Sequence, residues 1–437
     1  MAPSRRPRTD PRPDERSGRL LDRVLPPTLL ARRLCGQSIL FAVGEGFFMT
    51  GSAVFFTQIV GLSSAQVGLG LTIAGVVTFF FAVPLGKLAD RIGPKRMWAL
   101  GALAEALLYL AWPTISGFWA YAAMMVVLEL VGGAGGAGRG AYTIDLFSRE
   151  ERVRSLAFMR AALNIGFSIG ALLAGIALAT GSLHVIRLVP LAAGAILALN
   201  ALLISRLPRA AHDQPAAGPV APAKKLINPG ALRNKGFLAL NVCDGVLSTN
   251  QVLLNVVIPL WLVQETDAPQ VLLAWLFGTN TVMAVLLQVA ASRGAETVPG
   301  ALRAARRSGL FFVLSCLVVL VTHDTIGWVT IVLVWVGHVT VTGAELFQSA
   351  AHWGLVSELS DPERRGEYQG AARLGGTVGQ VWAPAAYTFL AMSWGAAGWL
   401  VIGGIVVLAV IGMHPASRVA ERFLRADHAA AGAGAPA

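Results

Sequence analysis

Ionisable side chains sit in the middle of long apolar stretches of this chain, and each needs a physical reason to be there. Glu45, Glu129, Asp244, His338 and Glu345 are flanked on both sides by residues such as Leu, Val, Ala, Gly and Phe. A charge at the centre of an apolar layer costs at least a few kcal/mol, so such residues face a wet cavity or a partner. Two of the stretches also carry polar faces. Asn241, Asp244, Ser248, Gln251 and Asn255 recur every three or four residues, as do His338, Thr342, Glu345 and Ser349, which sets each group along one side of a helix. The chemistry open to these groups is proton transfer and hydrogen bonding to a solute. Glu45, a carboxyl group kept from bulk water, is a candidate proton carrier. His338 reads equally as a core histidine or a proton group, and Glu105, Asn164 and Asn280 read as hydrogen-bond partners between helices.

The element that must position these groups is a membrane-spanning helix. Hydrophobic residues are 55% of the 437 and charged residues 14%, with a mean hydropathy of +0.63, too little polar surface to cover a soluble globule of this size. Twelve apolar stretches of roughly 17 to 25 residues can each cross the ~30 Å hydrocarbon layer. They begin near Leu34, Val67, Met97, Phe118, Ser155, Val185, Phe237, Val271, Gly309, Gly327, Glu367 and Trp394. The chain is therefore predicted to be an all-α integral membrane protein with twelve transmembrane helices.

Basic residues orient it. Of 35 Lys and Arg, all but Arg187 fall on one side of the alternating series, in connections such as Lys87 to Arg96, Arg139 to Arg160, Arg293 to Arg307 and Arg364 to Arg373. By the positive-inside rule that side is cytoplasmic, with both ends inside, and the net charge of +11 calls for no nucleic acid. Residues 1–33, Arg- and Pro-rich without the apolar core of a signal peptide, read as a disordered cytoplasmic tail. Residues 34–205 form a first six-helix bundle, the Pro/Ala-rich 206–235 a cytoplasmic linker, 236–414 a second bundle, and 415–437 a cytoplasmic tail that reads as disordered from Ala429. Cys35, Cys243 and Cys316 lie in or beside apolar stretches and imply neither disulfides nor a metal site.

The two halves look like distant copies. Gln66-Val67 opens the second span and Gln270-Val271 the eighth, while Gly166 and Gly170 of the fifth span match Gly375 and Gly379 of the eleventh. Between the second and third spans stands Gly86-Lys87-Leu88-Ala89-Asp90-Arg91-Ile92-Gly93-Pro94-Lys95-Arg96. This run resembles the signature loop of the major facilitator superfamily, Gly-x-Leu-x-Asp-Arg-x-Gly-Arg-Lys/Arg-Lys/Arg, with only Pro94 departing at a basic position. The resemblance implies two pseudo-symmetric six-helix bundles and a cytoplasmic gate built from Gly86, Asp90, Arg91, Gly93, Lys95 and Arg96, in which Asp90 and Arg91 form a latch. It also implies that spans one, four, seven and ten line a central cavity, which gathers Glu45, Glu129, Asn241, Asp244, Ser248, Gln251, Asn255, His338, Thr342 and Glu345 as the proton-coupling and substrate residues. Two further patterns of the superfamily's exporters depart. Glu129 stands where an Arg precedes the glycine run of span four, with Arg139 ten residues on, and Ala171 stands where span five has a proline.

Enzyme motifs are missing. Gly86-Lys87 continues into Leu88 and so makes no phosphate-binding loop, and neither a G-x-S-x-G nor an H-E-x-x-H run occurs. The expectation is a non-enzymatic secondary transporter, without cofactor, working by alternating access. Its partners are a small-molecule substrate, protons and the lipid bilayer of the cell membrane, and it acts as a monomer. Aromatic residues such as Phe41, Phe47, Phe48, Phe55 and Trp261 suit a proton-coupled exporter of small amphipathic organic compounds. The alternative, a proton-symporting importer of a polar solute, is favoured by the Asn and Gln of span seven. A third reading, a receptor or assembly partner that no longer transports, fits the acidic residues least.

This topology predicts that single cysteines at Lys95, Arg152, Arg306 and Arg364 resist an impermeant maleimide applied to intact cells and react in inverted vesicles. Labelling from outside at those positions would overturn the orientation.

Overall fold

The structure, a computed structural model, describes residues 26–209, 230–269 and 272–433. The first 25 residues of the basic tail, the centre of the linker (210–229), the Gln270-Val271 pair and the last four residues lie outside the described residues. Among the described residues there are twelve long helices and no strand. The first six are α1 (Leu29–Val54, prolonged by a π-helical turn Phe55–Ile59), α2 (Ser64–Ile92), α3 (Pro94–Ala111), α4 (Phe118–Leu146), α5 (Arg149–Ala179) and α6 (Leu183–Ser205). After a short turn of helix at Gly230–Arg233 come α7 (Lys235–Glu265, with a π-helical turn at Leu253–Val257), α8 (Leu272–Ala291), α9 (Val298–Leu320) and α10 (Trp328–Glu358). Arg365–Ala433 is two helices, α11 (365–394) and α12 (396–433), divided at Gly395 where φ is +53°. Eight continuous helical stretches are long and apolar enough to cross a membrane, one of them holding both α11 and α12.

Several helices start earlier than hydropathy predicts. α9 begins at Val298 against Gly309, α5 at Arg149 against Ser155, and α1 at Leu29 against Leu34. Each start is set by a polar cap, with Thr297, Ser148 and Thr28 accepting from the backbone N–H of Gly300, Glu151 and Ala31. The helices thus run past the hydrocarbon into basic sequence, which hydropathy alone reads as loop. Many arginines assigned to connections lie inside helices, most deeply Arg139 in α4, Arg160 in α5 and Arg373 in α11, and nearer the helix ends Arg91, Arg96, Arg152, Arg154, Arg303, Arg306 and Arg307. At the other end, α12 continues unbroken to Ala433, where a disordered tail was expected from Ala429. Ala-rich sequence with an i,i+4 pair, Glu421 to Arg425, sustains that helix.

Small residues build the same seam twice. A Cβ added to Gly166 or Gly170 of α5 would come 2.7 Å from the Ala42 methyl and the Phe47 nitrogen of α1. A Cβ on Gly375 or Gly379 of α11 would come 2.9 Å from Asn241 Cβ and from the Gly245 carbonyl carbon of α7. Apolar lipid gives helices no solvent-driven reason to associate, so close backbone approach of this kind carries the packing. The bundles then meet through α2 against α11 and α5 against α8. Phe48 and Phe55 pack with Trp112 in the core of the first bundle. Trp261 is buried in the second, its indole N–H donating to Thr322 at 2.9 Å. These three aromatics are core residues, whereas Phe41 and Phe47 remain half-buried.

Candidate functional site

The signature run joins the bundles at the end where α6 stops and the Gly230–Arg233 turn begins. α2 ends at Gly93, whose φ of +102° only glycine adopts freely, and Pro94 opens α3 at the first helical position, where a missing N–H costs nothing. Asp90 then reaches across to α11. Its two carboxylate oxygens accept from the backbone N–H groups of Gly366 (2.6 Å) and Glu367 (2.9 Å), at the positive end of that helix. The approach is possible because Gly86 faces Gly366, and a Cβ on Gly86 would lie 2.8 Å from the Gly366 carbonyl carbon. Arg365 of α11 pairs with Asp145 at the end of α4, and Arg149 of α5 pairs with Glu358 of α10 at 2.5 Å. Behind α11, Glu367 accepts from the Ala231 N–H at 2.8 Å. Arg91 and Arg96 are exposed, and Lys95 donates to the carbonyls of Ser205 and Leu207 at the end of α6. The contact between the bundles is thus Asp90 on a helix start, while Lys95 fastens its own bundle.

Deeper in, α7 and α10 carry two linked clusters. Asp244 accepts from Gln348 Nε2 at 2.9 Å and lies 2.6 Å from His352 Nδ1. Glu345 pairs with Arg160 of α5 at 3.6 Å, and its second oxygen accepts from Asn280 of α8 at 3.0 Å. Thr342 accepts from the same Asn280 at 3.2 Å and donates to the His338 carbonyl. His338 is buried, beside the backbone of Leu276 on α8. Of the polar stripe on α7, Asp244 is the residue whose side chain hydrogen-bonds to another helix among the described residues. Asn241 donates to Phe237 O and packs on Gly375, Ser248 donates to Gly245 O, and Asn255 donates to Gln251 O. Turns at Ser248 and Thr249 and the π-helical turn beyond them interrupt the regular period on which that stripe relied.

The first bundle holds a separate group of acids. Glu45 Oε1 accepts from the Tyr109 hydroxyl at 2.7 Å, and Glu45, Glu105 and Glu129 lie within electrostatic reach of one another. Glu105 lines a small pocket of about 80 Å³ with Gln37, Trp98 and Arg139. Arg139 also lines a larger cavity of about 310 Å³ between the bundles, together with Arg160 and His352.

Sequence reasoning missed Tyr109, Gln348, His352 and the inward roles of Arg139 and Arg160. The α10 face was legible one turn further, because Gln348 and His352 follow Glu345 at i+3 and i+7. The two arginines were hidden by counting them as loop charges.

The chain belongs to the major facilitator superfamily, whose family model matches residues 34–384. It is 31% identical over 182 residues to the class C tetracycline resistance protein of Escherichia coli, covering 41% of this chain and 44% of that protein. It is 29% identical over 184 residues to the phosphoglycerate transporter protein of Salmonella typhimurium, covering 40% of this chain and 39% of that protein. The matches thus span less than half the length of either curated relative. A superfamily transporter solved in its outward conformation, FucP, superposes with a TM-score of 0.68 at 15% identity, over 90% of this chain and 98% of that one. Family and fold are those of multi-pass membrane transporters of small molecules, not of enzymes.

Asp90→Asn removes the carboxylate's charge and one of its two acceptors at the α11 start, a loss of about 1–2 kcal/mol. The shut end should open roughly 5- to 30-fold more often. Ser155, fully buried near that end of α5, supplies the reporter. A Ser155→Cys thiol should react with maleimide faster by that factor in the Asp90→Asn background, and an unchanged rate would remove Asp90 from the gate.

Proposed function

We propose that this transporter is a proton-coupled exporter of small amphipathic organic compounds, working by alternating access in the cell membrane as a monomer with both termini cytoplasmic. The observation that carries the reading is the acid group of the first bundle. Glu45 on α1 shares a hydrogen bond with Tyr109 and an electrostatic neighbourhood with Glu105 and Glu129. A carboxyl group away from bulk water with a hydroxyl partner and further acids near it is suited to carrying a proton. The contacts of Asp90, Asp145 and Glu358 hold the cytoplasmic end shut, so this state faces outward, ready to take a proton. The similarity to a tetracycline resistance protein supports export.

A second reading, proton symport of a polar solute, is favoured by the Arg139 and Arg160 side chains that line the central cavity. Transport in inverted and right-side-out vesicles under an imposed pH gradient separates the two by direction.

Glu45→Gln leaves an amide that mimics the protonated acid and cannot release a proton. In proteoliposomes it should abolish pH-gradient-driven flux while substrate exchange at equal pH persists. Flux with unchanged pH dependence would exclude Glu45 from the proton path.

A further inference from the structure

We propose that the floor of the cavity between the bundles binds the oxyanion headgroup, carboxylate or phosphate, of an amphipathic organic acid, with Arg139 and Arg160 as its ligands. The inference rests on the central cavity being the substrate site, and on neither direction of transport.

The charges that face the cavity are of one sign. Its lining comes from α4, α5, α10 and α11, and the ionisable side chains in it are Arg139, Arg160 and His352, with no carboxylate among them. Asp244 and Glu345 stand behind this surface, the first against His352 and the second against Arg160. Arg139 is the more exceptional of the two arginines. Its Nη2 donates to Ser38 Oγ at 3.1 Å, and its guanidinium lies 5.9 Å from the Phe41 ring centre and 6.0 Å from that of Trp98. Among the described residues no Asp or Glu pairs with it. A guanidinium has five N–H donors in a planar fork matched to carboxylate and phosphate, and a hydroxyl with two ring faces occupies few of them.

Arg160 has an acidic partner, but a loosely held one. The 3.6 Å separation from Glu345 exceeds that of a charge-assisted hydrogen bond, and Glu345 keeps Asn280 as a partner if Arg160 turns away. An oxyanion between the two guanidinium groups therefore strips no carboxylate of all its donors. The glycines of α4 complete the arrangement. Gly136 and Gly140 lack the side chains that would collide with Arg373 and Gln369 of α11, so α11 brings a further cation and an amide to the rim of the same space. Met159, Leu163 and Trp353 supply the apolar wall, which suits a hydrophobic body attached to the headgroup.

The test uses four probes with one aromatic body: 2-naphthoate, 2-naphthyl phosphate, 2-naphthylmethylammonium and 2-naphthylmethanol. Binding to the full-length protein, purified in detergent, is measured by equilibrium dialysis. At least one anion should bind about tenfold or more tightly than the cation and the alcohol, and the stronger anion identifies the headgroup. Arg139→Gln should weaken that anion by roughly 10- to 100-fold and change the cation and the alcohol less than about twofold. Arg139→Lys should recover part of the affinity, because it restores the charge without the fork. Thermal unfolding of each variant checks that it is folded. Preference for the cation or the alcohol, binding of neither anion, or undiminished anion affinity in folded Arg139→Gln would each overturn the site. Anion selectivity without pH-gradient-driven flux in proteoliposomes would instead overturn the proposed function and leave the site standing.

Discussion

A helix that starts inside a protein leaves its first N–H groups without partners, and here the start of α11 is completed by a carboxylate from the opposite bundle. Asp90 accepts from Gly366 and Glu367, and the contact exists only while α2 and α11 touch backbone to backbone. That closeness depends on Gly86 and Gly366. Once the helices are this near, Arg365 meets Asp145, and Arg149 meets Glu358 one helix further round. None of these pairs holds a bundle together internally. They therefore join one bundle to the other and leave the stability of each bundle to its own seams. An interface of this kind can open without unfolding, because each bundle keeps its internal glycine seam, α1 on α5 and α7 on α11.

Charge at mid-depth is divided unequally between pseudo-symmetric halves. The first bundle keeps three acids and Tyr109 together with one half-buried arginine, Arg139. The second keeps a His–Asp pair and a glutamate, each satisfied by amides from α8 or α10. Arg160 to Glu345 is the pair that crosses at this depth. It joins a helix of one bundle to a helix of the other, so it cannot survive unchanged when the bundles rock apart. The fold is duplicated, while its polar contents are not, so the backbone seams and the chemistry have followed different constraints.

Fold class was legible because it depends on features that survive in a linear string. Apolar runs of membrane length, basic connections in alternation and the run from Gly86 to Arg96 all point one way. The Asp90 contact was legible as a type, a carboxylate set against a helix start. Loop charge was the misleading signal. Arg160 lies eleven residues into α5, about 16 Å from its start, and a count of basic residues per connection cannot tell that from a loop. The α7 stripe misled in the opposite way. Its spacing is helical, but Asn241, Ser248 and Asn255 satisfy themselves on their own helix, and a periodicity argument does not see where an amide turns.

Glu105 stands where the two halves of the cavity's chemistry meet. It shares a pocket with Arg139 and an electrostatic neighbourhood with Glu45 and Glu129. Glu129 is ten residues from Arg139 on α4, about 15 Å along the axis. Glu45 is seven residues from Ser38 on α1, about 10 Å along its axis, and Ser38 accepts from that same arginine, as Phe41 presents its ring to it one turn short of Glu45. The acids of the first bundle are thus set at different depths from its arginine, and substituting one of them is not equivalent to substituting another.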